Sequence, residues 1–207
     1  MEPFFTTTGK IECPDYRWIR DSIDESASRA HKLIDQMWAA CSKFLDTDAA
    51  IRARLELKPV FWELYLAYVL HRSGKRLVVQ DRKNGAPDLK TESPEVWVEA
   101  VTVGMGSGGD GLKAPILGNV YSEPVEQILL RLTSAIDEKD RKLRGYIEKG
   151  IIQKGQATII AISGIKFDPY YSIGGLHPHI VSAVLPIGDV VVEIDRETRL
   201  QTGSTWG

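Results

Sequence analysis

The stretch Val96-Trp97-Val98-Glu99-Ala100-Val101-Thr102-Val103 is the strongest strand signal in the chain. β-Branched and aromatic residues dominate it, as expected of a pleated, buried surface. One charge interrupts it. Burying a carboxylate is costly unless it is paired or metal-bound, so Glu99 demands an explanation. Alternation along a strand puts Glu99 on one face with Trp97 and Val101. It serves function there, or it is an ion pair at the edge of a sheet.

Upstream, Glu92-Ser-Pro-Glu95 reads as a turn and Pro87-Asp88-Leu89-Lys90-Thr91 as a short strand, so Asp88 and Glu99 are expected side by side on neighbouring strands. Lys83-Asn-Gly-Ala86 reads as a turn and Leu77-Val-Val-Gln80 as a buried strand. Further back the texture is helical. Pro59 to Arg72 is apolar on nearly every side, with Glu63 its only acid, and Asp48 to Leu57 fits a shorter helix. Ile23, Ala27, Ala30, Ile34, Met37, Cys41 and Phe44 recur at steps of three and four, a core-facing helical stripe. The first twenty residues read as an irregular arm.

Downstream, a glycine-rich loop spans Gly104 to Gly118 and a long helix fits Glu123 to Lys149. Thr158 to Ile162 reads as another buried strand, Pro178 to Leu185 as a short helix and Asp189 to Asp195 as a last strand, with Trp206 in a tail. This order predicts an α/β fold with a mixed sheet flanked by helices.

The chain has 207 residues, 43% apolar and 26% charged, with a net charge of −2. That composition excludes disorder, and a chain of this length buries roughly 70% of its unfolded surface without disulfide or zinc staples. No apolar run approaches the roughly 18 residues that span a membrane, and the start lacks a signal-peptide pattern. Two cysteines, Cys13 and Cys41, make neither a disulfide scaffold nor a zinc site, so a cytoplasmic protein is expected.

Glu63, Asp88 and Glu99 form an ordered set of carboxylates in apolar surroundings. Converging, they repel one another unless a divalent cation neutralises them, and oxygen ligands suit Mg²⁺ or Mn²⁺. Such a cation polarises a phosphoryl oxygen and generates hydroxide for in-line attack. The alternative for Glu63 is a glutamate capped by an arginine.

These residues resemble the PD-(D/E)xK, or restriction-endonuclease-like, nuclease superfamily. The resemblance is carried by Phe61-Trp62-Glu63-Leu64-Tyr65, Pro87-Asp88 and Val98-Glu99-Ala100-Val101, within about Pro59 to Lys149. It implies a restriction-endonuclease-like mixed sheet in one domain, with residues 1–57 as an N-terminal helical extension, 58–164 as the nuclease-like core and 165–207 as a C-terminal extension. It also implies that Glu63, Asp88 and Glu99 hold the metal of a nuclease hydrolysing phosphodiester bonds. The chain departs from the pattern at Val101, where the family has a lysine that stabilises developing charge. Either the chain is a catalytically inactive binding or structural module, or another base reaches the same point.

Lys139 is the substitute. On the long helix, Ile128, Leu132, Ile136, Leu143 and Ile147 form the apolar stripe, and at about 100° per residue Lys139 falls within it, facing the sheet. The alternative is a lysine snorkelling at the stripe's edge. Arg131 and Ser134, nearer the helix start, are candidates for phosphate contact.

The net charge hides an uneven distribution. Residues 71–90 and 139–154 each carry +4, leaving −10 for the rest. Both stretches border the candidate site and suit a nucleic-acid backbone as well as they suit solvated faces. Other motifs carry less. Gly104-Met-Gly106-Ser-Gly108-Gly109 satisfies GxGxxG but no helix starts there, so a mobile loop is expected instead of a dinucleotide site. His177 and His179 lack a third zinc ligand, and Ser163, Ser172 and Ser182 lack a nucleophile elbow.

Overall fold

The computed structural model describes residues 3–80, 85–106, 111–113, 123–167, 178–185, 190–195, 197–199 and 201–206. The chain divides into two compact units, Met1–Thr102 with Glu138–Ser163, and Val103–Asp137 with Gly164–Gly207.

The first unit begins with a segment that is not the irregular arm expected. Phe4 and Phe5 are buried, and a helix, α1, spans Pro14–Asp21. The Tyr16 hydroxyl donates to the Phe4 carbonyl and accepts from the Thr6 N–H, both at 2.9 Å. These bonds pair backbone groups that burial of the two rings would otherwise strand.

Helix α2 (Glu25–Cys41) starts at Asp24, whose carboxylate accepts the Ser26 N–H as an N-cap. The expected stripe buries Ala27, Ile34, Met37 and Cys41 and ends on Phe44 in a 3₁₀ turn, Ser42–Phe44. Ile23 lies before the cap and is fully exposed, outside the stripe. Helices α3 (Ala49–Leu55) and α4 (Leu57–Arg72) follow. The face of α4 bearing Val60, Glu63, Leu64 and Ala67 is buried.

The sheet is small and mixed, flanked by helices, with strands β1 (Leu89–Glu92), β2 (Glu95–Gly104) and β3 (Ala157–Lys166) in the order β1-β2-β3. β1 and β2 form an antiparallel hairpin with Leu89 opposite Val98 and Thr91 opposite Val96. Leu89 and Val98 join the core made by Ile34, Met37, Val60 and Leu64. On the opposite face, Trp97 packs with Leu143 and Tyr146 of helix α5 (Val125–Glu148) and with Ile152. Helices therefore cover both faces of β2, and Glu99 has no exposed surface.

Several expected strands are altered. Leu77 forms a single antiparallel bridge to Thr91, and Val79 is 61% exposed, so Leu77 to Gln80 is not a buried strand. Thr158 to Ile162 lies in β3, which is longer than expected. As the last strand in the order it is covered less completely, and Ile159 is half exposed. Of the α5 stripe, Ile128, Leu132 and Leu143 are buried but Ile147 is not. Its neighbour Tyr146 takes the inward position instead.

In the second unit, Val103, Leu112, Ile128, Leu132 and Phe167 are buried. A short helix, α6 (His179–Val184), and an antiparallel pair, β4 (Val190–Ile194) with β5 (Gln201–Trp206), complete the described elements. Trp206 therefore ends a strand and is not in a tail. Residues 107–110 and 114–118 of the glycine-rich loop, residues 83 and 84 of the expected turn, His177 and Asp189 lie outside the described residues. Among the described residues no helix is long and apolar enough to cross a membrane.

Candidate functional site

The β1–β2 register places Asp88 one step beyond the Leu89–Val98 pair, opposite Glu99. Asp88 is fixed there by the Ala100 N–H, which donates to its Oδ2 at 2.6 Å. Burial pushes the Asp88 carboxyl up to about 6, and the charges of Glu99 and then Glu63 push the same way. The Ala100 bond and Lys142 oppose them. The charges of Glu99 on β2 and Glu63 on α4 thus both act on Asp88, which lies just before β1. Such crowding of like charge is costly to fold.

Glu99 is neutralised from α5. Lys139 Nζ lies 2.8 Å from Glu99 Oε1, so Lys139 does face the sheet. Lys142, one turn further, donates to the same oxygen. Its amine is pulled down by burial but pushed up further by the bond to Glu99 and by the charges of Glu99 and Asp88, with a net rise. Lys139 is 16% exposed and Lys142 43%, so Lys142 is the ammonium on the solvent side. Glu99 Oε2 is buried and has no hydrogen-bond partner among the described residues. Val101 is half-buried on β2 and brings no amine.

Glu63 has a different partner. Arg52 of α3 grips it with both ends of the guanidinium, Nη1 to Oε1 at 3.1 Å and Nη2 to Oε2 at 3.0 Å. The hydrogen bond to Glu63 is the main reason the Arg52 pKa is raised, against the opposing effect of burial. Fork-on-carboxylate pairing is the strongest geometry available to this residue type. Among the described residues, no set of three or more His, Cys, Asp and Glu side chains is gathered to hold a metal ion.

Asp88 and Glu99 are two neighbouring carboxylates on the β1–β2 register. Mg²⁺ keeps several waters and often takes only one or two carboxylates from the protein, with the remaining positions left for substrate phosphate. The orphaned Glu99 Oε2 is a buried acceptor of the hardness such an ion prefers. Two lysines bond the other oxygen, so Oε2 is the uncompensated oxygen of this carboxylate.

The phosphate candidates lie in the second unit. Arg131 Nε donates to the Gly104 carbonyl at 2.7 Å, and the guanidinium packs against Gly106. Ser134 is exposed on α5. In the same unit His179 pairs with Glu123, Nε2 to Oε1 at 2.8 Å.

Sequence reasoning missed three contributors. Lys142 was detectable, since residues three apart share a helix face and Lys139 had been placed inward. Tyr146, whose hydroxyl donates to the Ala86 carbonyl at 3.1 Å, pins the segment leading to Asp88 and left only its aromatic character as a signal. Arg52 is the arginine that the alternative reading of Glu63 expected, but which arginine it would be left no signal, because the pairing joins two helices. A scan against protein families, a search of curated proteins and a search of solved structures found no match for this chain.

Proposed function

We propose that the chain is a metal-dependent nuclease with a restriction-endonuclease-like core, in which Lys139 replaces the lysine missing at Val101. The observation that carries this reading is the 2.8 Å contact of Lys139 Nζ with Glu99 Oε1, beside an orphaned Oε2 on the same carboxylate. Asp88 and Glu99 would hold Mg²⁺ or Mn²⁺, and Glu63 would complete the set when released from Arg52. A divalent cation at this place supplies Lewis-acid polarisation of a phosphoryl oxygen.

The chain's own groups supply the rest. Lys139 offers a fixed positive charge where negative charge develops on the phosphate, and fixed charge costs no reorganisation during reaction. Lys142 extends that charge to the protein surface, where a polyanionic backbone can approach. The net charge of +4 over residues 139–154 favours nucleic acid as the substrate class.

The second reading is a nuclease-like module without activity, serving binding or structure. It is favoured by Arg52, which neutralises Glu63, and by the two lysines that balance Asp88 and Glu99 without any metal. A cleavage assay over single- and double-stranded DNA and RNA, with Mg²⁺ and with Mn²⁺, separates the two. The nuclease reading requires metal-dependent cleavage that Glu99→Ala abolishes. Cleavage that survives this substitution, or no cleavage of any substrate, overturns it.

A further inference from the structure

We propose that Lys142 is the residue that docks a phosphate of the nucleic-acid backbone, bridging it to Glu99, while Lys139 stays on the carboxylate without touching the bound strand. The contact falls to neither Arg131 nor Ser134, and it rests on the nucleic-acid reading above but not on a metal.

Three observations carry it. First, the two ammonium groups share one acceptor but not one environment. Both bond Glu99 Oε1, yet the Lys139 side chain is 16% exposed and that of Lys142 43%. Glu99 carries one negative charge, and Lys139 alone balances it. Lys142 is a second cation at the same oxygen, and the one that an anion arriving from solvent meets. Second, the Lys142 ammonium has a donor to spare. An ammonium carries three N–H groups. Glu99 takes one, and Tyr146 lies on another side, its ring centroid 5.7 Å from Nζ. The solvent side is left for a phosphate oxygen. Third, Lys142 is held in place before any ligand arrives. Tyr146 is itself buried, and its hydroxyl donates to the Ala86 carbonyl at 3.1 Å. A long side chain anchored at Glu99 and against a fixed ring loses less freedom on binding than an unattached surface lysine.

The two lysines then divide the work. A phosphate adds to the outer side of Lys142 without breaking the bond to Glu99, and the charges of Glu99 and Asp88 keep the amine protonated. A lysine that neutralises a phosphate releases condensed counterions, so the contact is read as salt dependence. Lys139, shielded beneath, adds nothing to that dependence.

The test is anisotropy titration of a fluorescein-labelled DNA duplex, and of single-stranded DNA and RNA of the same sequence, with the full chain in chelator at several salt concentrations. Lys142→Met should weaken binding severalfold. It should also reduce the slope of log affinity against log salt by about 0.9 on duplex or about 0.7 on a single strand, the loss of one phosphate contact. Lys142→Arg should keep the slope, and so should Lys139→Met. A folded Lys142→Met variant with the wild-type slope overturns the proposal, as does an equal fall in both Met variants, and the nucleic-acid reading survives either result. If Lys142→Met does not fold, reductive methylation of the wild-type chain decides. Bound nucleic acid should protect Lys142 and leave Lys32, exposed on α2, reactive. Equal methylation of Lys142 with and without nucleic acid overturns the proposal. If the wild type binds none of the three probes, the nucleic-acid reading fails with it.

Discussion

Lys139 and Glu99, forty residues apart in sequence, meet at 2.8 Å between Nζ and Oε1 beneath the face of β2 that α5 covers. Glu99 is wholly buried and receives Lys142 on the same oxygen. Each lysine alone leaves the carboxylate partly compensated, whereas losing both leaves a bare buried charge. Lys139→Met and Lys142→Met should each cost about 1–2 kcal/mol, and the pair about 4 kcal/mol or more, beyond the sum of the singles. Urea unfolding of the four proteins in a double-mutant cycle checks this. Additive losses would mean that the two ammonium groups do not share Glu99.

Asp88 makes stability depend on pH in an unusual direction. Its carboxyl sits at about 6 in the folded chain, above its ordinary 3.8. The folded chain therefore binds this proton more tightly than the unfolded chain, and stability falls as pH rises from about 4 to about 6, then levels off. Asp88→Asn keeps an oxygen for the Ala100 N–H and removes the titration. In chelator it should be more stable than wild type by roughly 3 kcal/mol at pH 8 and nearly equal to it at pH 4. Denaturation curves across that range decide it. A variant less stable than wild type at pH 8 would show that Asp88 is a structural anchor, not a cost borne at the site.

How much of this was legible in the sequence depended on whether a feature was local. The alternation of residues 96–103 was enough to find β2 and to put Glu99 on the Trp97 face. The apolar stripe of α5 was enough to turn Lys139 towards it, because helical geometry fixes angle from spacing. The Arg52–Glu63 clamp joins two helices, and no periodicity encodes a pairing of that kind. Phe4 and Phe5 belong to no repeat, and their burial depends on Tyr16, a ring on another segment. β5 reads Gln-Thr-Gly-Ser-Thr-Trp, a polar, glycine-containing run with little strand character, and it is a strand because β4 pairs with it. The end of α5 was misjudged by one residue position, since Tyr146 and Ile147 compete for the same inward direction and the larger ring, tied to Ala86, takes it.

The second unit offers a test through Gly106. Its φ of +74° is strained for any other residue, and a Cβ there would lie 1.9 Å from Arg131 Nη2. Gly106→Ala should cost about 2 kcal/mol, from backbone strain together with displacement of the guanidinium that bonds the Gly104 carbonyl. Measured again in an Arg131→Ala background, the same substitution should cost about half as much, leaving only the backbone part. An equal cost in both backgrounds would mean that Arg131 yields freely and does not hold Gly104 and Gly106 in place.

The central claim is that Lys139 performs from α5 the task of a lysine absent from position 101. Relocating the amine measures this directly, by following the Mn²⁺-dependent cleavage rate of wild type, Lys139→Met and the double variant Lys139→Met/Val101→Lys. Val101 shares the Glu99 face of β2, so a lysine there can reach the same carboxylate. The account predicts that Lys139→Met lowers the rate at least about a hundredfold, the size of a lost charge-stabilising contact, and that adding Val101→Lys restores a substantial part. A Lys139→Met variant as fast as wild type, or a wild type with no metal-dependent cleavage, would contradict it.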